Sequence, residues 1–175
     1  MAFIPIVTIV GYSDSGKTRC IVELISILTS KGYRVASAKH CHDGFALDTE
    51  GKDTWKQKRA GAVTTLMSSR TSIGVVADKQ ADLSLEQLCR QYVHNADIVL
   101  AEGYSWEKYP KILVTTKQRV EEERVEADDG VIAFVGEPRV DSTIRSFTFA
   151  ELEKLTVMLE QQFLSPAIGH QYEHP

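Results

Sequence analysis

The chain has 175 residues, a formal net charge of −4 and three cysteines, and these values exclude several classes of protein. Because acidic residues outnumber basic ones, the composition lacks the excess positive charge that is expected of a protein that binds nucleic acid or an anionic membrane surface. Scattered cysteines without a C-x-x-C pair indicate neither a disulfide framework nor a cysteine zinc site. No apolar run has the length of a membrane span, and no signal-like segment stands at the N terminus. We therefore expect a cytoplasmic protein with one domain over residues 1–164 and a tail over residues 165–175.

Strand-like and helix-like segments alternate along the chain, which predicts an α/β fold in three layers, with a mostly parallel sheet flanked by helices. The apolar run over residues 4–10 predicts a buried strand, and residues 17–30 have helical apolar spacing that stops at Gly32. Further strands are predicted over residues 34–38, 63–69, 73–78, 96–104, 111–116 and 131–136. Further helices are predicted over residues 53–60, capped by Asp53 or Thr54, 84–93 and 148–163. The third and fourth strands form a predicted β-hairpin extension that could pair across a dimer.

The segment GYSDSGKT at residues 11–18 fits the phosphate-loop pattern G-x-x-x-x-G-K-[S/T]. It follows a predicted strand and opens a helix, so backbone N–H groups at the helix N terminus would face phosphate oxygens. Gly11 and Gly16 permit close backbone approach, while Lys17 and Thr18 are the types that contact terminal phosphates and Mg²⁺. The residues predicted to bind a nucleotide here are Gly11, Ser13, Asp14, Ser15, Gly16, Lys17, Thr18 and Arg19.

Asp14 is unusual in this loop because its carboxylate would repel phosphates within about 5 Å. Two interpretations follow. Since the loop would hold phosphates through main-chain N–H groups, the side chain can point outward to water, with a modest loss of affinity. The alternative is an impaired site.

The strand-like segment DIVLAEG ends in a carboxylate, Glu102. A phosphate-loop site needs an acidic residue on the outer side of its metal, normally at the end of a neighbouring strand. Glu102 is therefore predicted, with Thr18, to hold Mg²⁺. Asp97 stands at the other end of the strand and is predicted to be structural.

The polar segment after the second strand, residues 39–53, is the other concentration of chemically active side chains. In an open α/β sheet such a loop leaves the carboxyl edge, where ligands bind. Three interpretations stay open: a substrate-contacting or switch-like loop, a structural metal site built on His40 and His42, and a plain solvated loop.

With these segments in hand, the chain resembles the MobB family, the B proteins of molybdopterin guanine dinucleotide biosynthesis. The resemblance rests on four segments that cover most of residues 4–116, namely IVGYSDSGKT, YRVASAKHCHDGFALDTEGKDTWKQKRAGA, ADIVLAEGY and YPKILV. The second segment is the most specific, because its lysine-histidine-x-histidine and F-x-x-D-x-x-G-K-D patterns are not general features of phosphate-loop proteins. The resemblance implies a P-loop NTPase-like fold.

The resemblance also implies a function. MobB-like proteins are dimers that bind GTP with Mg²⁺, hydrolyse it weakly and assist a partner guanylyltransferase, which joins GMP to molybdopterin. Contact with molybdopterin itself is a further implication. By position, the resemblance adds four residues to the predicted site, His40, His42, Asp48 and Asp53, the last two as further Mg²⁺ surroundings.

The chain also departs from the family pattern. Ser105 stands where the family often has a lysine, and Arg119 stands where a guanine-reading motif would have a carboxylate. The preference for guanine over adenine therefore comes from the resemblance. Two alternative functions remain open: a small-molecule kinase, and a non-catalytic interaction module whose phosphate loop is degenerate at Asp14.

Overall fold

The computed structural model describes residues 4–46, 48–78, 83–116, 130–137 and 143–164. These residues belong to two compact units, one drawn from Met1–His40 with Leu85–Pro175 and the other from Cys41–Ser84. The expectation of one nucleotide-binding domain over residues 1–164 stays a prediction, and the tail over residues 165–175 lies outside the described residues.

The larger unit alternates strands and helices as the sequence predicts. Its strands are β1 (Ile6–Val10), β2 (Val35–Lys39), β5 (Ile98–Glu102), β6 (Lys111–Thr115), β7 (Val131–Gly136) and β8 (Arg145–Phe147). Its helices are α1 (Lys17–Ser30), α3 (Leu85–Tyr92) and α4 (Leu152–Phe163), the last preceded by a 3₁₀ turn at Phe149–Glu151. Among these elements β8 was not predicted, because three residues are too few to show a strand period.

The six strands of this unit form one sheet in the order β2-β5-β1-β6-β7-β8. All of its described pairings are parallel, which confirms the predicted mostly parallel sheet. The register places Glu102, the last residue of β5, opposite Ile9 of β1 on one side and Lys39 of β2 on the other. The ends of β1, β2 and β5 therefore meet at one edge, from which the phosphate loop also leaves.

Helices cover both faces of the sheet, so the predicted three layers are present. On one face α1 packs against α4, and Leu24, Leu28 and Leu155 are fully buried in the same apolar cluster as Val7 and Ile9 of β1. On the other face α3 contributes its own buried side chains to a second cluster with strand residues of β1 and β5. These continuous apolar strands are typical of a parallel sheet buried on both sides.

The smaller unit contains α2 (Asp53–Arg59) and the hairpin of β3 (Thr64–Ser68) and β4 (Ile73–Ala77), whose strands pair antiparallel. The predicted hairpin is thus confirmed. The prediction that Asp53 or Thr54 caps α2 is wrong, because the capping position is Lys52, which makes no side-chain cap bond. Asp53 stands instead in the first turn, where its charge favours the helix N terminus.

No helix in the described part of the chain is long and apolar enough to cross a membrane.

Candidate functional site

The loop between β1 and α1, residues 11–16, requires glycine at both of its ends. Gly11 has φ 141°, and a Cβ there would stand 2.5 Å from the carbonyl oxygen of Val114. Gly16 has φ 99°, and a Cβ there would stand 2.9 Å from Cζ of Phe149. Both positions combine a backbone conformation that disfavours side chains with a close neighbour. The loop is therefore held tightly against β6 and the turn before α4.

A cavity of about 390 Å³ opens at this loop, and the residues that line it are Ser13, Asp14, Gly16, Lys17, Thr18, Lys39 and Glu102. The N terminus of α1 faces it without an acidic residue in its first turn, and Gly16 supplies no side-chain cap. The first N–H groups of a helix have no intrahelical carbonyl to bind. They and the helix dipole favour an anion at this position. The side chain of Lys17 turns back to the loop, where its Nζ donates to the carbonyl oxygen of Tyr12.

Glu102 joins three elements at the wall of this cavity. Thr18 Oγ1 donates to Glu102 Oε2 at 3.1 Å, and Lys39 Nζ lies 3.1 Å from Glu102 Oε1. The Glu102 side chain is only 13% exposed, whereas that of Lys39 is 57% exposed. The structure thus places Thr18 and Glu102 together, as the sequence predicts. Lys39 was not among the predicted site residues, although its position at the end of the strand beside β5 marks it once the strand order is known.

Asp14 adopts a left-handed backbone conformation with φ 59°. Aspartate tolerates this region better than most residues other than glycine, which explains how the loop accommodates it. The residue is exposed to solvent and lines the same cavity as Lys17. Its effect on phosphate affinity, modest or severe, stays a prediction.

Two features of the loop suit a bound nucleotide with Mg²⁺. The hydroxyl of Ser15 is buried and has no hydrogen-bond partner among the described residues, so an acceptor in the loop would satisfy it. A threonine hydroxyl and a carboxylate supply the oxygen ligands that Mg²⁺ prefers. The residues present therefore fit the predicted group.

Arg19 stands in the first turn of α1, directly after Thr18. Its guanidinium stacks over the ring of Phe149, 4.4 Å from the ring centroid, and its Nε donates to Glu23 Oε1 at 2.7 Å. Arg19 is not among the residues that line the cavity. Phe149 is a structural neighbour of the loop that sequence reasoning missed, because 133 positions separate it from Gly16.

The histidine segment is divided between the two units. His40 follows β2 in the larger unit, where its ring meets those of Tyr104 and Trp106 at centroid distances of 5.5 and 4.8 Å. His42 belongs to the smaller unit.

The predicted structural role of Asp97 agrees with its geometry, because its carboxylate binds the guanidinium of Arg34 through two oxygens.

Asp48 and Asp53 also belong to the smaller unit. Asp48 accepts from the backbone N–H of Thr49 at 2.8 Å, and Asp53 is exposed with Lys56 at 4.0 Å. No group of three or more histidine, cysteine or acidic residues within the described ranges could hold a metal ion. The roles assigned to His40, His42, Asp48 and Asp53 stay predictions. Arg119, which stands where a guanine-reading motif would have a carboxylate, lies outside the described residues.

Comparisons with a family model and with known relatives indicate the same family. The family model described as molybdopterin guanine dinucleotide synthesis protein B matches residues 6–137. The molybdopterin-guanine dinucleotide biosynthesis adapter protein of Haemophilus influenzae is 35% identical over 131 residues, which are 74% of this chain and 73% of the relative. The adapter protein of Escherichia coli is 30% identical over 63% of this chain and 65% of its own length.

The structural comparison agrees. The crystal structure of Bacillus subtilis MobB matches this chain with a TM-score of 0.73 at 26% identity, covering 92% of this chain and 98% of that structure. The structural match covers 92% of this chain, a larger share than residues 6–137 that the family model matches.

Proposed function

This chain belongs to the molybdopterin guanine dinucleotide synthesis protein B family, and on that premise we propose that it is a GTP-binding adapter in the cytoplasmic synthesis of molybdopterin guanine dinucleotide. In this role it binds GTP with Mg²⁺, hydrolyses it slowly and assists the guanylyltransferase that joins GMP to molybdopterin. The observation that carries the proposal is the contact of Thr18 with Glu102 at the wall of the phosphate-loop cavity.

The proposal gives a part to the start of α1 and to four side chains at or beside the cavity, namely Ser15, Lys17, Thr18 and Glu102. The N–H groups at the start of α1 hold phosphate oxygens, and the Ser15 hydroxyl gains the acceptor that it lacks. Lys17 leaves the Tyr12 carbonyl and contacts the terminal phosphates. Thr18 and Glu102 hold Mg²⁺, which would neutralise phosphate charge when bound.

Slow hydrolysis follows from what lines the cavity. Fast phosphoryl transfer needs a residue that orients the nucleophile and usually an arginine that stabilises the transition state. The described lining residues include neither an arginine nor a histidine. Arg19, the nearest arginine in sequence, is engaged with Glu23 and Phe149. An accessory protein with slow turnover is supported better than a kinase.

A homodimer built on the hairpin of β3 and β4 is part of the same proposal. Leu66 and Ile73 are 70% and 79% exposed, and Val75 stands opposite Leu66 on the same face. A two-stranded ribbon with one exposed apolar face is marginally stable alone, and such a face favours association. Substituting both Leu66 and Ile73 with Ser should shift the mass measured by light scattering from dimer to monomer. An unchanged mass would remove the hairpin from the proposed interface.

The proposed function is tested by calorimetric titration of the full chain with GTP and with ATP, each with Mg²⁺. We expect GTP to bind and ATP to bind at least tenfold more weakly. Lys17→Ala should lower GTP affinity by about 10-fold to 100-fold, as for loss of a charged hydrogen bond. Tight ATP binding without GTP binding contradicts the proposal, and fast phosphate transfer to a small acceptor would favour a kinase. Added guanylyltransferase should form more product with wild type than with Lys17→Ala.

A further inference from the structure

Three aromatic rings meet where β2 and β5 end, and none of them is among the residues that line the phosphate-loop cavity. His40 follows β2, and Tyr104 and Trp106 follow β5. Their ring centroids lie 4.8 to 5.7 Å apart, with His40 edge-on to both of the others. We call these three residues the ring cluster.

The ring cluster is held in place by the backbone around it. Gly103 and Tyr104 both have positive φ, 87° and 56°, so the chain turns sharply as soon as β5 ends. A tyrosine in this region is strained, and such strain concentrates at functional sites. The turn carries the Tyr104 side chain into the core cluster of the α3 face, where it is 6% exposed. Tyr104 is therefore a fixed support for the other two rings.

Trp106 is fixed by its neighbours while its own ring stays open to solvent. The N–H of Glu107 donates to the carbonyl oxygen of Tyr104 at 3.0 Å, which closes a turn around Trp106. The carboxylate of Glu107 in turn accepts from the N–H of Leu85 at 3.2 Å, at the start of α3. Even so, Trp106 is 63% exposed. An exposed aromatic ring on a hydrogen-bonded turn is well placed for stacking.

The cluster adjoins the Glu102 side of the cavity. His40 directly follows Lys39, and Tyr104 stands two residues after Glu102; Lys39 and Glu102 both line the cavity. In the proposed function Thr18 and Glu102 would hold Mg²⁺, which would neutralise charge on the terminal phosphates. The base of the same nucleotide is joined at the opposite end of its phosphate chain, so it would lie away from Glu102. A ring that stacks on Trp106 would therefore belong to a second ligand.

The surroundings of Trp106 favour a small ligand over a protein. Ser105 and Lys108 are exposed polar residues on either side of it. A stable protein interface buries about 800 Å² on each partner, whereas the ring cluster offers one open indole in a polar setting. Stacking of a single planar ring suits this size.

We propose that the ring cluster binds a planar nitrogen heterocycle of the pterin class by stacking on Trp106, next to the terminal phosphate of the nucleotide. This inference rests on the proposed function, since it supplies the pterin contact of the same site. It adds a second subsite in which Tyr104 and His40 support the stacking ring.

The chain has two tryptophans, Trp55 and Trp106, and they provide a matched control. Full-length wild type, Trp106→Ala, Trp106→Phe and Trp55→Ala are titrated by calorimetry with 6-hydroxymethylpterin, with and without saturating GTP and Mg²⁺. We expect wild type and Trp55→Ala to bind the pterin equally, and Trp106→Ala to bind it about tenfold more weakly. Trp106→Phe keeps a ring and should retain most of the affinity. Melting temperatures establish that each variant is folded.

The outcomes separate this inference from the proposed function. Equal pterin affinity in Trp106→Ala and Trp55→Ala overturns it, as does a wild type that ignores the pterin. If GTP competes with the pterin and Trp106→Ala weakens GTP equally, the ring cluster serves the base of the nucleotide and the pterin assignment is wrong. If Trp106→Ala keeps its pterin affinity and instead weakens binding of the guanylyltransferase, titrated in the same way, the cluster is a protein contact and the pterin assignment is wrong. Pterin binding without GTP binding would support this subsite while the proposed function fails.

Discussion

Thr18 and Glu102 stand 84 positions apart in the sequence, yet their side chains are joined by a hydrogen bond of 3.1 Å at the wall of one cavity. Thr18 lies in the first turn of α1, and Glu102 is the last residue of β5. The parallel pairing of β5 with β1 brings the two together, because it places Glu102 opposite Ile9, just before the phosphate loop.

Glu102→Gln should weaken Mg²⁺-dependent binding of GTP by about tenfold or more, since an amide would replace the carboxylate that is proposed to hold the metal. The fold should persist, because the amide oxygen still accepts from Thr18. The measurement is calorimetry with GTP at several Mg²⁺ concentrations. Asp97→Asn, at the other end of β5, is the matched control and should leave nucleotide affinity unchanged. If Glu102→Gln keeps the full Mg²⁺ dependence, Glu102 does not hold the metal.

Gly11→Ala should lower the free energy of unfolding by more than Gly32→Ala does. Both glycines have positive φ, but a Cβ at Gly32 meets no atom within 4 Å, whereas one at Gly11 would stand 2.5 Å from the Val114 carbonyl oxygen. Gly32→Ala should therefore cost about 1 to 2 kcal/mol from conformation alone. Gly11→Ala adds overpacking and should cost about 3 kcal/mol or more. Urea unfolding measures both, and equal costs would contradict the close approach.

Asp14→Asn should tighten GTP binding by up to about fivefold, the range for an exposed charge. Asparagine tolerates the same left-handed conformation, so the substitution removes the charge and leaves the backbone unstrained. The gain should shrink at high salt, because screening already weakens the repulsion. Calorimetry at two ionic strengths checks this. A gain of several orders of magnitude would instead support the impaired-site interpretation of Asp14.

Glu151→Gln should lower the melting temperature at neutral pH and lose this effect in acid. Hydrogen bonds from Lys154 and then from Thr148 lower the pKa of the Glu151 carboxyl from 4.5 to about 2. A lowered pKa stabilises the fold above the ordinary value of 4.5, and this contribution disappears as pH falls from there towards 2. Thermal melts from pH 7 to pH 3 should thus show the two proteins converging.

The control for this pH dependence is Glu153→Gln, an exposed carboxylate in the first turn of α4. Its difference from wild type should change less with pH than that of Glu151→Gln, because an exposed charge in a first helical turn interacts only weakly with the helix dipole. A Glu151→Gln difference that changes no more than this one would contradict the lowered pKa. The site matters because Thr148 and Glu151 form a capping box around Phe149, the ring that packs against Gly16 and Arg19.

Most elements could be predicted because their signal is local. β1 and β5 are continuous apolar runs, and α1 shows helical spacing with a glycine stop, so these elements are found within a residue or two of their predicted bounds. β8 could not be predicted, because its three residues are defined by pairing with β7 alone. The cap of α2 was misassigned because Asp53 suits both a cap and a first helical turn, and sequence does not separate the two.

By itself the sequence determined the G-x-x-x-x-G-K-[S/T] loop between β1 and α1, most of the succession of strands and helices along the chain, and the carboxylate that ends β5. Each depends on residues close together in the chain. The tertiary structure decided which distant side chains share the cavity wall and its surroundings. Strand order set Lys39 against Glu102, the turn after β5 set Trp106 beside His40, and the start of α4 set Phe149 against Gly16. Such contacts arise from the register of parallel strands and the packing of helices on them, and no local pattern in the chain encodes them.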